Sequence, residues 1–203
     1  MSKSTAYLWT RHLPLAPDLV RRRRQAGQRA RADAQWRVHR AARDAARAET
    51  VAAAARWVRQ LRYRELVLIG AAIYWCEGGK AKPWRPHDCR IKFVNSDPML
   101  VGLFLRFLDA LGVPAADRRY RVSIHETADA PAAVRWWAGV IGVPAERFQP
   151  TSLKRHRPLT TRKNVGADYR GCLTVHVVGA SRVYWRIEGI MKGMTDEDPA
   201  RDR

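Results

Sequence analysis

Between Leu66 and Cys76 the chain carries no charged side chain, and the run then stops on one carboxylate and two glycines, Glu77-Gly78-Gly79. A helix that is apolar on every side has to be buried on every side. A membrane span needs about 18 or more apolar residues, and this stretch is shorter. The sequence therefore predicts an internal helix, around which the rest of a core is arranged. Gly70, Ala71 and Ala72 expose almost no side chain, so another helix backbone can approach closely there. Gly78 and Gly79 can supply the φ > 0 needed to stop a helix. Glu77 then stands at the C-terminal mouth of the helix, where the dipole disfavours a bare carboxylate and a nearby cation offsets the cost.

What can surround such a helix depends on the rest of the chain. Its 203 residues are 46% hydrophobic, enough for one substantial core plus an extension. The net charge of +19 favours a polyanionic partner, most simply nucleic acid. A basic composition also follows from frequent Arg codons in a GC-rich genome, but here the basic residues cluster. Three cysteines, Cys76, Cys89 and Cys172, leave an odd thiol and argue against a disulfide framework. Cys76, His87 and Cys89 match no common zinc spacing and leave a fourth ligand unnamed. The N-terminus has no apolar signal-peptide core. A cytoplasmic, nucleoid-associated bacterial protein without a membrane partner is the expectation.

Residues 1–16 predict a short helix, capped by Ser2 or Ser4, with Tyr7, Leu8 and His12 about one turn apart and Pro14 ending it. This segment resembles the recognition helix of a helix-turn-helix domain, in which hydroxyl residues at the start face the DNA. The helices that would precede it are absent, as expected of a relic or of a start placed too late. An ordinary frayed N-terminal helix is the rival reading. Residues 17–62 are an Ala/Arg-rich tract opened by Arg21-Arg22-Arg23-Arg24. Alanine and arginine are strong helix formers. The large apolar residues Trp36, Val38, Val51, Trp57, Val58 and Leu61 are too sparse for a core, so one or two long solvated helices are expected. This extension reads equally as a phosphate-binding arm or as a charged linker.

After the loop 80–88, Cys89 to Val94 alternates Ile91 and Phe93 with charged neighbours, as a strand with one wet face does. Asn95-Ser96-Asp97-Pro98 starts a helix that runs to about Leu111 and stops at Gly112. Arg119 to His125 is a second alternating strand, with Tyr120, Val122 and Ile124 on one face and Arg119, Arg121, Ser123 and His125 on the other. A face of that kind is suited to lie on DNA. Pro131 opens a helix to Ile141, stopped by Gly142, on which Trp136 and Trp137 cannot face the same way. Residues 151–166 form the densest basic loop or hairpin, whose hydroxyls, amide, lysines and arginines are the set that contacts phosphate oxygens. Gly171 to Val178 is a strand, Ser181 caps a last helix to about Met194, and 195–203 is a charged tail expected to be disordered.

The stretch Gly70-Ala71-Ala72-Ile73-Tyr74-Trp75-Cys76-Glu77-Gly78 resembles a degenerate LAGLIDADG motif of homing endonucleases. Ala71, Ile73, Glu77 and Gly78 fall where that motif has alanine, leucine, the metal-binding acid and the last glycine. Glu77 stands for the usual aspartate, Trp75 for the first acid and Ala72 for the middle glycine. The resemblance implies an α+β fold: a LAGLIDADG-like mixed core over 63–194, with a saddle-shaped antiparallel sheet in an α-β-β-α-β-β-α order. The helix at 131–141 is an addition to that order. In the family two such helices pack side by side across a two-fold or pseudo-two-fold axis, and their acids meet at the DNA and hold divalent metals. One motif in this chain implies a homodimer, with Glu77 as catalytic metal ligand and Mg2+ or another divalent cation as cofactor.

The remaining site candidates follow from charge and position. Arg119, Arg121, Lys154, Arg155, Arg157, Arg162, Lys163 and Arg170 are the expected DNA contacts. Lys154 and Lys163 can also stabilise charge on a cleaved phosphate, or only hold the backbone. Glu77 has a rival reading as a helix-end residue paired with Lys80 or Lys82. His125, His156 and His176 can each move a proton, although lone strand histidines are more often surface or packing residues. Two functions stay open: a metal-dependent DNA endonuclease acting as a homodimer, and a non-cleaving DNA-binding transcriptional regulator that keeps the endonuclease fold.

Overall fold

Ala and Arg enter a helix at little steric or entropic cost, and they make up more than half of the tract after Pro17. In the computed structural model residues 2–12, 14, 16–80, 84–85, 89–155 and 168–196 are described. The chain divides into two compact units, Met1–Gln60 and Leu61–Arg203. In the first, α1 spans Lys3–Thr10, and the Ser2 hydroxyl accepts the Thr5 N–H at 3.2 Å as the cap. It stops at Thr10, short of Pro14. The helix α2 spans Pro17–Val58 as one uninterrupted 42-residue rod with Pro17 in its first turn. None of its residues is buried, in keeping with its scarcity of large apolar side chains.

The second unit is α+β. It begins with α3, Tyr63–Glu77, followed by β1, Ile91–Asn95, and α4, Pro98–Ala110. Next come β2, Arg118–His125, α5, Ala130–Ile141, and β3, Ser152–Lys154. The strand β4, Cys172–Val177, and the helix α6, Ser181–Thr195, complete it. The four strands lie in the order β1-β4-β2-β3. Asp97 caps α4 by accepting the Met99 and Leu100 N–H groups, and Asp129 caps α5 by accepting that of Ala132. Gly142 takes the left-handed conformation that closes α5, at φ 66°. Ile91, Phe93, Tyr120, Val122, Ile124, Leu173, Val175 and Val177 make the covered face of the sheet, and they pool with buried residues of all four helices into one core. Phe93 stacks on Phe104 with ring centroids 4.1 Å apart. Burying each such ring contributes about 1.5–3 kcal/mol. The tryptophan pair divides as expected: Trp137 is fully buried, while Trp136 is exposed.

Four expectations are corrected. The sheet is mixed, because β2 and β3 run parallel while β4 is antiparallel to both β1 and β2. The cause is α5, which carries the chain back across the core so that β3 starts in the direction of β2, as a helical crossover does. The helix α3 is not enclosed. Val67, Gly70, Ala71 and Tyr74 are buried, whereas Ile69, Ala72, Trp75 and Cys76 are exposed. Gly70 and Ala71 serve the packing within this chain: a Cβ on Gly70 would lie 2.1 Å from the Phe107 ring of α4. Ser181 makes no cap hydrogen bond to α6, whose N-cap is Ala180. Thr195 belongs to α6 and donates to the Lys192 carbonyl at 2.9 Å. The expected basic loop 151–166 begins with β3, and its residues 156–166 lie outside the described residues, as does 197–203 of the expected tail.

Candidate nucleic-acid interface

Alternation along three strands decides what the uncovered face carries. With Ile91 and Phe93 turned into the core, Arg90, Lys92 and Val94 fall on the other side. With Tyr120, Val122 and Ile124 inside, Arg119, Arg121, Ser123 and His125 fall outside. The same parity on β4 leaves Cys172, Thr174 and His176 on the outer face. The register then brings the charges together. His176, on an inner strand, lies opposite Lys92 on one side and Arg119 on the other, and Thr174 lies opposite Arg121. The Arg119 guanidinium is fixed by donation to the Ala116 and Arg118 carbonyls. An open depression of about 410 Å³ on this face is lined by Arg90, Lys92, Arg119, Arg121 and His176, among others.

His176 reports the electrostatics of this surface. Partial burial disfavours its charged form, and Arg90, Lys92, Arg119 and Arg121 add like-charge repulsion, so its pKa is held below the ordinary 6.5.

Glu77 closes α3 at the edge of the same sheet. The following backbone is bonded to β1: Gly78 bridges Phe93, and the Gly79 N–H donates to the Lys92 carbonyl at 2.7 Å. The buried Tyr74 hydroxyl donates to the Gly79 carbonyl at 2.6 Å. Gly78 ends α3 in an extended conformation at φ −80°, not through the positive φ expected of it; a Cβ on it would lie 2.4 Å from the Tyr74 ring, so a glycine is required for this turn. Glu77 itself is exposed. Among the described residues no group of three or more His, Cys, Asp and Glu is placed to hold a metal ion.

The other sequence candidates divide. Arg119 and Arg121 lie on the basic face. Lys154 and Arg155 are exposed at the end of β3 and just beyond it, so they belong to the opposite edge of the sheet from Glu77. Three strand spacings, about 14 Å, separate the two edges, and one chain does not join Glu77 and Lys154 in a common site. Arg170 is half-buried ahead of β4, and its carbonyl accepts the Trp137 indole N–H at 2.9 Å. Arg157, Arg162 and Lys163 lie outside the described residues, as do Lys82, His87 and His156. His125 pairs its Nδ1 with the Thr127 hydroxyl at 2.9 Å. Arg90, Lys92 and His176 were missing from the expected contacts. Their strand parity was readable, but their alignment depends on a register between strands far apart in sequence.

Comparison of the chain with protein families, with curated proteins and with solved structures finds no match. No helix among the described residues is long and apolar enough to cross a membrane.

Proposed function

We propose that this chain binds double-stranded DNA across the open basic face of its sheet, as a homodimer joined along α3 in the manner of a LAGLIDADG protein. The observation that carries the reading is the convergence of Arg90, Lys92, Arg119 and Arg121 around a neutral His176 on an uncovered sheet. Phosphate oxygens are the natural partners of such a cluster, and released counterions add to the binding free energy. The apolar stripe of α3 supports the dimer. Leu68, Ile69, Ala72, Trp75 and Cys76 recur at helical spacing, with Ile69 38% and Trp75 41% exposed. A second copy of the same stripe is self-complementary about a two-fold axis, and Ala72 at its centre lets the two backbones approach.

Such a dimer brings together two Glu77 carboxylates, which repel unless a cation lies between them. The fit to a divalent cation is a half-site in each chain: Glu77 is its carboxylate donor, and the second carboxylate is Glu77 of the other copy. A cation there supplies Lewis-acid chemistry for phosphodiester hydrolysis. What this chain contributes is the position of Glu77, fixed by the Gly78–Phe93 bridge and by Tyr74, beside the cationic groove. The second reading, a DNA-binding regulator that does not cleave, is favoured by Trp75, which puts an indole where the motif has its first acid. Lys154, at the far edge, serves in either reading as a phosphate contact at the rim of the sheet.

The two readings separate on a gel. Labelled duplex is shifted and scored for nicking with and without magnesium, using wild type and Glu77→Gln. A nuclease loses cleavage in Glu77→Gln while binding stays within about threefold, because removal of one rim charge changes little free energy. Wild-type protein that shifts duplex but never nicks it, and whose melting temperature magnesium does not raise through Glu77, is the regulator. Protein that shifts no duplex at low salt refutes both.

A further inference from the structure

As a sequence the tract after Pro17 reads equally as an arm or a linker, but as one uninterrupted helix it sorts its arginines by face. The helix α2 contains eleven arginines and no lysine. At 3.6 residues per turn, Arg22, Arg29, Arg40, Arg43 and Arg47 fall within an arc of about 60°. At a rise of about 1.5 Å per residue they make one stripe about 38 Å long. All five are exposed. Asp18 is engaged by Arg21 at 3.8 Å, and among the described residues none of the five stripe arginines is paired with a carboxylate. Like charges three and four residues apart repel along a helix, as those of Arg40, Arg43 and Arg47 do. An anionic partner relieves that repulsion.

The chemistry of the stripe selects among partners. A second helix docking along it would need apolar side chains at the heptad positions. Arg22, Arg29 and Arg43 occupy them instead, and Trp36 is the one large apolar residue between them on that face. A membrane surface would need an apolar face opposite the cationic one, and the opposite side of α2 carries Arg24, Arg31, Glu49 and Arg56 among alanines. A polyanion needs only the charge. The planar fork of arginine matches a phosphate with two donors. A duplex presents phosphates along every helical turn of about 34–36 Å, close to the length of the stripe.

We propose that this stripe is a second DNA-binding surface, which holds the phosphate backbone of a duplex without reading its sequence. It goes beyond the reading above and does not depend on the basic face of the sheet.

The test measures fluorescence anisotropy of the full chain on a labelled duplex between about 50 and 200 mM salt. It is run in the background of Arg90→Ala, Lys92→Ala, Arg119→Ala and Arg121→Ala, which removes the cations of the sheet. That protein still binds duplex. Replacing Arg22, Arg29, Arg40, Arg43 and Arg47 together by glutamine makes its salt slope shallower by about 4 to 5, because each phosphate contact contributes about 0.9. A matched variant with glutamine at Arg23, Arg24, Arg31, Arg37 and Arg56 has the same net charge and changes the slope by less than about 1. Glutamine forms helix about as well as arginine, and circular dichroism checks that α2 persists. A slope that the stripe variant leaves unchanged overturns the stripe, and so do equal losses from the two variants. Discrimination between two duplexes of unrelated sequence in this background overturns it as well. Vesicles of phosphatidylserine and phosphatidylcholine that the stripe retains as firmly as it does the duplex overturn the assignment to DNA. In otherwise wild-type protein, a slope that depends on the stripe but not on the four sheet cations overturns the sheet reading alone.

Discussion

Ala71 and Ala72 are neighbours in sequence with opposite fates, and replacing each by leucine separates the core of one chain from the seam between two. Ala71 is fully buried, next to Gly70, where even a single added carbon would lie 2.1 Å from Phe107. Leucine there adds three carbons to a filled space. Overpacking of this kind costs about 1–3 kcal/mol, or more where the backbone cannot yield. For a domain of this size each kcal/mol lowers the melting temperature by about 2–4 °C. Ala72 is exposed in the single chain, so leucine there changes the monomer's stability by no more than about 0.5 kcal/mol. In a dimer joined along α3 the same leucine appears twice at the closest approach of the helices. The dimer constant then weakens by about 1–3 kcal/mol, roughly five- to a hundredfold. Thermal melts and sedimentation equilibrium over a dilution series measure the two effects. Ala72→Leu melting as early as Ala71→Leu in dilute solution refutes the assignment of faces. A wild-type chain that stays monomeric at every concentration, with and without DNA, refutes the seam.

Other outcomes follow from named groups. Because burial and four cations hold the folded His176 pKa below 6.5, its contribution to stability is fully present above about pH 6.5 and is lost as the pH falls through the lower folded value. Urea titrations at several pH values should show that loss, and His176→Gln should abolish it. DNA phosphates neutralise the same cations and raise the His176 pKa, so binding takes up a proton. Duplex affinity should therefore rise between about pH 7.5 and 6 in wild type, with a smaller rise in His176→Gln. Tyr74→Phe removes the hydrogen bond to the Gly79 carbonyl and should lower stability by about 0.5–1.5 kcal/mol in denaturant melts. It should also loosen the turn that fixes Glu77.

Periodicity made the secondary structure legible where it was strong. The alternation of Tyr120, Val122 and Ile124 with Arg119, Arg121 and Ser123 gave both the strand and its wet face. The Asp97-Pro98 start of α4 and the opposed Trp136 and Trp137 were likewise local matters. What escaped was non-local. The apolar run of α3 states how much surface avoids water, but not which side this chain covers. That depends on Phe107, 37 residues beyond Gly70 in the numbering. The parallel pairing of β3 with β2 depends on the path of α5 across the core. The basic face was half visible, as Arg119 and Arg121. It became a four-cation cluster only when β4 aligned Lys92 and Arg119 on either side of His176. Glu77 was singled out as a residue, but its attachment to β1 through Gly78 and Gly79 was not readable from its neighbours.

In the proposed reading the open basic face of the sheet holds the duplex. The slope of log affinity against log salt tests it most directly, because each lost phosphate contact removes about 0.9 from the slope. Between about 50 and 200 mM salt, wild type is compared with the variant carrying Arg90→Ala, Lys92→Ala, Arg119→Ala and Arg121→Ala together. The account predicts a steep wild-type slope that becomes shallower by about 3 to 4 in the variant, with the fold intact by circular dichroism. A slope unchanged by the four substitutions contradicts it.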